Sequence, residues 1–423
     1  MKLNPSRPIE FIAVGSELLS PYFPETNSLF IAERLQELGW QLTFKSVVSD
    51  RLEELKKVIR LAKNRSWLII ISGGLGPTED DRTRQAVAEV LGRQLIFKRE
   101  ILEKIRTRFE SRGLQMTPSN RRQAYIIKGA EILDNPNGTA PGMWLENRNQ
   151  IIILLPGPPA ELQPMVENLV LPRLRKFSQV QVLRSIIRTT GAGESWVEDR
   201  IRSVYQNLPP NLELTTLASP GDVQLWLTMP VRENLEKSLQ AFEHFRKRII
   251  RLLGQLVYSE NGDPLERVIG QQLQSTGKTL ACAESCSGGL LAHRITSVPG
   301  SSVYFLEGLV TYSNQSKGRE LKVSAKLIKE QGAVSPEVAK AMAVNLRRKT
   351  GADFTLSTTG IAGPGGGSDS KPVGLVFIGL TFPGGVEVKQ NSFRGDRQQI
   401  KFQTTQKALD MLRLKLIEAG LTK

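Results

Sequence analysis

The chain has 423 residues, 40% hydrophobic and 23% charged, which at about 150 residues per domain is too long for one core and too apolar for disorder. No uninterrupted apolar run reaches the roughly 20 residues of a membrane helix, and Ile9–Gly15 carries a charge and no small-residue cleavage site, so a cytoplasmic protein without a membrane partner is expected. Fifty-seven Lys and Arg against 42 Asp and Glu leave a net +15, which points to phosphate-bearing partners, while two cysteines and two histidines exclude a disulfide framework and a Cys/His zinc cluster.

In chain order, Phe11–Gly15 reads as a strand, followed by a helical pattern through Leu29, Ile31, Leu35 and Leu38. A strand over 42–48, a helix to Ala62 and the β-rich run Trp67–Ile71 come next. This alternation predicts a parallel sheet covered on both faces, with ligand sites at the carboxyl ends of its strands. A further strand over 151–155 stops at Pro156-Gly157-Pro158-Pro159. Residues 180–256 pattern as a compact α+β unit: strand 180–189, helix 195–205, strands 212–217 and 223–229, helix 234–253. Past the polar turn 259–264 the alternation resumes, with strands near 279–283, 309–312, 354–358, 375–382 and 386–393 and a final helix to Leu421. The basic runs are interleaved with apolar residues at helical spacing and read as solvated helix faces.

Four segments carry chemistry. Gly73-Gly74-Leu75-Gly76-Pro77-Thr78-Glu79-Asp80-Asp81 follows a buried strand. Its glycines expose backbone N–H groups to phosphate and its acids offer ligands to a divalent ion, although Asp80 or Asp81 would also serve as a plain helix cap. It lacks the Gly-Lys-Ser/Thr ending of a nucleoside-triphosphate loop. Ala283-Glu284-Ser285-Cys286-Ser287-Gly288-Gly289 again opens a helix at a strand end, and without a histidine partner Cys286 reads as a packed residue. Gly300-Ser301-Ser302 and Thr311-Tyr312-Ser313-Asn314 precede Lys317. A cap at Ser313 or Asn314 would place Lys317 near a helix N-terminus, where burial and dipole depress its pKa as a base requires; two caps and a surface lysine is the plain alternative. Gly360-Ile361-Ala362-Gly363-Pro364-Gly365-Gly366-Gly367 permits close backbone approach to an anion.

These motifs, with Gly15-Ser16-Glu17-Leu18, Asn27, Asn135–Gly142 and Gly332-Ala333-Val334-Ser335, resemble the CinA family of bacterial competence/damage-inducible proteins over essentially the whole chain. The resemblance implies two three-layer α/β/α domains flanking a small α+β KH-like domain. Residues 1–172 would form a domain similar to the molybdopterin-binding proteins MoaB and MogA, 173–258 the KH-like domain, and 259–423 a nicotinamide-mononucleotide deamidase domain. It implies that nicotinamide mononucleotide loses its amide as ammonia in NAD salvage, with Ser302 as nucleophile, Lys317 as its base, and Tyr312 and Ser285 orienting the amide. Gly360, Gly363, Gly365 and Gly366 would take the phosphate, and no cofactor is required. For the N-terminal domain it implies cleavage of ADP-ribose with a divalent metal, Mg²⁺ or a transition metal, on Asp80, Asp81 and Glu17. Substrate would be held by Gly73, Gly74, Gly76, Thr78, Thr83 and Asn27. The chain departs from the family's usual Gly-Thr-Glu-Leu and Asp-Thr-Asn at Ser16 and Glu25, and the longer Glu25 carboxylate would reposition a metal. Two alternatives stay open, an N-terminal domain that only binds a pterin or nucleotide, and a nucleic-acid-binding competence protein. The second is disfavoured because Gly191-Ala192-Gly193 and Gly221 form no Gly-x-x-Gly clamp. A homodimer is the expected assembly.

Overall fold

The computed structural model describes residues 8–178, 180–231 and 233–421. It divides into two compact units, one running to Val182 and taking in Pro230–Glu233, the other comprising Leu183–Met229 and everything from Asn234.

The first unit is built on a six-stranded sheet in the order Phe44–Val48, Ile9–Val14, Leu68–Ser72, Gln150–Leu155, Gly142–Asn147, Glu131–Leu133. Ile9–Val14, Leu68–Ser72 and Gln150–Leu155 are buried at every position, which is why they read as largely apolar runs rather than as alternating ones. Leu55, Ile59, Val87, Ile101 and Ile105 pack on one face, Ile31, Leu35, Leu162 and Met165 on the other, giving three layers. The first four strands are parallel, as the alternation predicts. The sheet then continues antiparallel through Gly142–Asn147, a strand that the sequence pattern does not mark. The expected boundary at residue 172 falls inside the helix Leu171–Leu174, whose Leu171 and Leu174 are core residues of this unit.

In the second unit, a four-stranded sheet (Glu213–Ser219, Asp222–Val231, Gln181–Thr189, Val257–Ser259) carries the helices Glu194–Tyr205 and Leu235–Leu253. A five-stranded sheet follows in the order Phe305–Val310, Leu280–Glu284, Phe354–Gly360, Leu375–Phe382, Gly385–Ser392. Its first three strands are parallel and its last two antiparallel. The helix Pro336–Thr350 covers one face and the helices Leu265–Thr276 and Arg397–Glu418 the other. Gly379 permits the first of these contacts, since a Cβ there would lie 2.8 Å from the Ala339 carbonyl oxygen. Arg413, buried in Arg397–Glu418, donates to the carbonyls of Gln255 (2.7 Å) and Val257 (3.3 Å) and so fixes this helix to the four-stranded sheet.

Candidate active site

Three parallel strands place their carboxyl ends side by side, and the residues that follow them meet there. Leu280–Glu284 delivers Ser285, whose N–H donates to the Thr358 carbonyl (2.9 Å) on one neighbour, while the Thr311 N–H donates to the Glu284 carbonyl (2.8 Å) from the other. The Glu284 side chain is fully buried. Its two oxygens accept the N–H groups of Gly289 (3.0 Å), Leu291 (3.0 Å) and Ala292 (2.8 Å), supplying the acceptors that the start of the helix Leu290–Thr296 lacks. The turn carrying Ser285 is thereby fixed at both ends.

Past the strand Phe305–Val310, Ser313 caps the helix Asn314–Leu321 through the Ser316 N–H (3.0 Å), as its position before the polar run suggests. Lys317 sits in the first turn, 1% exposed, with Nζ 2.9 Å from Ser285 Oγ, 2.9 Å from the Thr311 carbonyl oxygen and 3.1 Å from that of Tyr312. Burial pushes its pKa below the ordinary lysine value, with Cys286 opposing weakly. Nζ donates to Ser285 Oγ and to both carbonyls; were the amine neutral, the two carbonyls would take its N–H groups and its lone pair would face the Ser285 hydroxyl. Burial raises the Cys286 thiol to about 12, so it stays protonated at neutral pH.

These groups open into a cavity of about 270 Å³, lined also by Tyr312, Asn314, Ala333, Val334 and the loop residues Gly360, Gly363, Gly365 and Gly366. Arg397 lines it and no carboxylate does, so it favours an anion. Arg397 donates to the Gly363 carbonyl (2.7 Å) and the Tyr312 hydroxyl (3.0 Å), tying the glycine loop to Tyr312.

In the N-terminal domain, Gly73 (φ +101°) and Gly74 (φ +67°) make the turn after Leu68–Ser72, and a Cβ on Gly73 would strike the Val14 carbonyl. Thr83 ties the turn to its helix through the Gly73 carbonyl (2.8 Å). The buried Arg84 braces it from beneath, donating to the carbonyls of Leu75 (2.7 Å) and Gly76 (3.0 Å). Burial lowers the Arg84 pKa to about 10, which still leaves a positive charge under the turn at neutral pH. Asn27 donates to Ser72 Oγ (3.1 Å) and the Gly157 carbonyl (2.7 Å), closing the same strand ends. The three acids do not converge into one cluster. Asp81 accepts the N–H (2.8 Å) and hydroxyl (2.6 Å) of the exposed Thr78, Asp80 and Glu17 are exposed, and no group of three or more His, Cys, Asp or Glu among the described residues is placed to hold a metal ion. Glu25 accepts the Ser28 N–H (2.9 Å) and hydroxyl (2.5 Å) and pairs with Lys45 (2.8 Å). Burial would raise its pKa, but these bonds outweigh burial and hold it below its ordinary value. It accepts a first-turn N–H of the helix Asn27–Glu37. A larger cavity, about 790 Å³, lies against the helix Arg99–Glu110 and is lined by none of the Gly73–Thr83 residues.

The family description CinA C-terminal domain matches residues 262–416, Probable molybdopterin binding domain residues 10–176, and Damage-inducible protein CinA KH domain residues 184–259. A CinA-like protein of Solibacter usitatus is 43% identical over 96% of this chain and 98% of its own length, and one of Koribacter versatilis 42% identical over 96% and 99%. The chain belongs to the CinA family. Among solved structures, the competence/damage inducible protein of Agrobacterium tumefaciens is 38% identical (TM-score 0.35) over 36% of this CinA-family chain and 92% of its own. The molybdopterin biosynthesis enzyme MoaB of Thermus thermophilus is 24% identical (TM-score 0.27) over 41% and 96%. Among the described residues no helix is long and apolar enough to cross a membrane.

Of the residues singled out in this CinA-family sequence, the structure brings together Ser285, Tyr312, Lys317, Gly360, Gly363, Gly365 and Gly366. It does not bring Ser302 to them. Ser302 is exposed on the short turn Ser301–Val303, before the amino end of Phe305–Val310, whereas Lys317 and Thr311 lie beyond that strand's carboxyl end. At about 3.3 Å per residue the strand separates them by roughly 20 Å. Arg397 and Glu284 escape a sequence reading as site residues, the first because nothing local marks it, the second because an acid inside a strand end signals nothing until its helix partner is known.

Proposed function

We propose that the C-terminal domain deamidates nicotinamide mononucleotide to nicotinic acid mononucleotide and ammonia, with Ser285 as nucleophile and Lys317 as its base. The observation that carries this is the buried, pKa-depressed Lys317 amine 2.9 Å from Ser285 Oγ, in a cavity lined by the Arg397 guanidinium and no acid. Lys317 Nζ takes the Ser285 Oγ proton as Oγ adds to the carboxamide carbon. The collapsing tetrahedral adduct expels the amide nitrogen, which leaves as ammonia with the proton from Lys317. Water, deprotonated by the same amine, then cleaves the acyl ester, giving the carboxylate and free Ser285. Arg397, which joins Tyr312 to the glycine loop, would take the phosphate. At about 270 Å³ the cavity falls just below the usual range of small-molecule sites, about 300–1,000 Å³, which suits a mononucleotide better than a dinucleotide. A serine with an amine base needs no metal, so ammonia release should persist in chelator. The test is to follow ammonia and product mass with the purified chain and nicotinamide mononucleotide, where absence of turnover would remove the reading.

For the N-terminal domain we infer a binding turn for a phosphate-bearing ligand, supported by Gly73 and Gly74 at positive φ over the buried Arg84 cation. The acids expected to hold a metal for ADP-ribose cleavage are dispersed or engaged, so no hydrolytic step is drawn through it. AMP release from ADP-ribose that depends on Mg²⁺ or a transition metal would restore the pyrophosphatase reading, and its absence would leave the turn a binding site.

A further inference from the structure

The loop 361–374 joins two strands that pair antiparallel and that a two-residue turn could connect, so its length serves something other than the sheet. Its base is closed by Ile361 N–H on the Leu375 carbonyl (2.9 Å) and Gly374 N–H on the Ile361 carbonyl (2.7 Å). Gly363, Gly365 and Gly366 line the cavity, yet the residues between Pro364 and Ser370 are exposed. Glycine backbone at positive φ, as at Gly363 and Gly366, has little intrinsic preference for one shape, so the wall it forms must be held from outside.

Lys371 is placed to do that. A tight turn in which Ser368 N–H donates to the Lys371 carbonyl (2.9 Å) and Lys371 N–H to the Ser368 carbonyl (3.1 Å) aims its side chain across the loop. Its Nζ donates to the carbonyls of Gln331 (2.9 Å) and Val334 (2.7 Å). That second segment supplies the opposite wall through Ala333 and Val334, and Thr359 Oγ1 fixes it from the sheet by donating to the Ala333 carbonyl (2.7 Å). Gly332 sits under the ammonium, where a Cβ would lie 2.8 Å from Nζ. Lys371 itself does not line the cavity.

We propose that Lys371 is a positioning residue of the deamidase site, its ammonium latching the glycine loop to the Gln331 and Val334 carbonyls and so setting the mouth that admits the mononucleotide. The proposal rests on the deamidase reading. Ammonia release by the full chain is measured for the wild type, Lys371→Met and Lys371→Arg, with hydrogen exchange of segments 331–335 and 361–374 followed in parallel. Lys371→Met should raise KM about tenfold, as expected for losing hydrogen bonds from a charged donor, with kcat within about twofold. Exchange in both segments should quicken and stay unchanged elsewhere. Lys371→Arg, which can still donate to two carbonyls, should recover most of both. An unchanged KM, or a fall in kcat without a rise in KM, would overturn the latch, as would unchanged exchange. If the wild type releases no ammonia, the deamidase reading fails by itself and the exchange comparison still decides the latch.

Discussion

Replacing Glu284 with Gln should loosen the turn that carries Ser285, and the structure sets the size of the effect. Oε2 accepts two backbone N–H groups, from Gly289 and Leu291, and Oε1 accepts one, from Ala292. An amide must present NH₂ on one side, so the less damaging rotamer gives up the Ala292 bond. A hydrogen bond to a charged group is worth about 1.5–3 kcal/mol, and the two retained bonds weaken because they are no longer charge-assisted, together on the order of 1 kcal/mol. The sum is about 3 kcal/mol, or roughly two orders of magnitude in an equilibrium at 1.4 kcal/mol per tenfold. Hydrogen exchange of segment 285–296 reads this locally, and protection at Gly289, Leu291 and Ala292 should fall by about a hundredfold. Protection within threefold of wild type would mean that the carboxylate is not what holds the turn.

Deamidation should rise with pH and level off at the depressed pKa of Lys317, below the ordinary ~10.4, because only the neutral amine accepts the Ser285 proton. Lys317→Arg should be inactive at every pH, and a normal rate in it would eliminate the base. Linkage gives the same residue a second signature. The folded state binds fewer protons than the unfolded one between the depressed and ordinary values, so this contribution to stability grows as pH rises through that window. Lys317→Met should flatten that part of the stability profile in urea titrations. Arg397→Lys should raise KM on the order of tenfold, since an ammonium lacks the planar fork that joins Gly363 and Tyr312, and an unchanged KM would remove Arg397 from substrate binding.

What was legible in the sequence was whatever short-range physics decides. Leu280–Glu284 running into Ser285, the Ser313 cap that places Lys317 in a first helical turn, and the glycines at 73–74 and 360–366 are all signalled within a few residues. Pairings across the sheet were not. Whether Ser285 or Ser302 meets Lys317 depends on which end of Phe305–Val310 each serine occupies, and that follows from the parallel register against Leu280–Glu284. Arg397 reaches the cavity from a helix fixed elsewhere by Arg413, a relation with no sequence period. The acids at 80 and 81 looked like metal ligands because clustering is visible in sequence, whereas the Thr78 bonds that engage Asp81 appear only in the folded turn.

The most direct measurement is ammonia release from nicotinamide mononucleotide by Ser285→Ala and Ser302→Ala under saturating substrate. Ser285→Ala should lose at least about four orders of magnitude in kcat, the scale for removing a catalytic nucleophile, while Ser302→Ala, exposed at the far end of its strand, keeps the wild-type rate. Loss of turnover in Ser302→Ala with Ser285→Ala unimpaired would contradict the account.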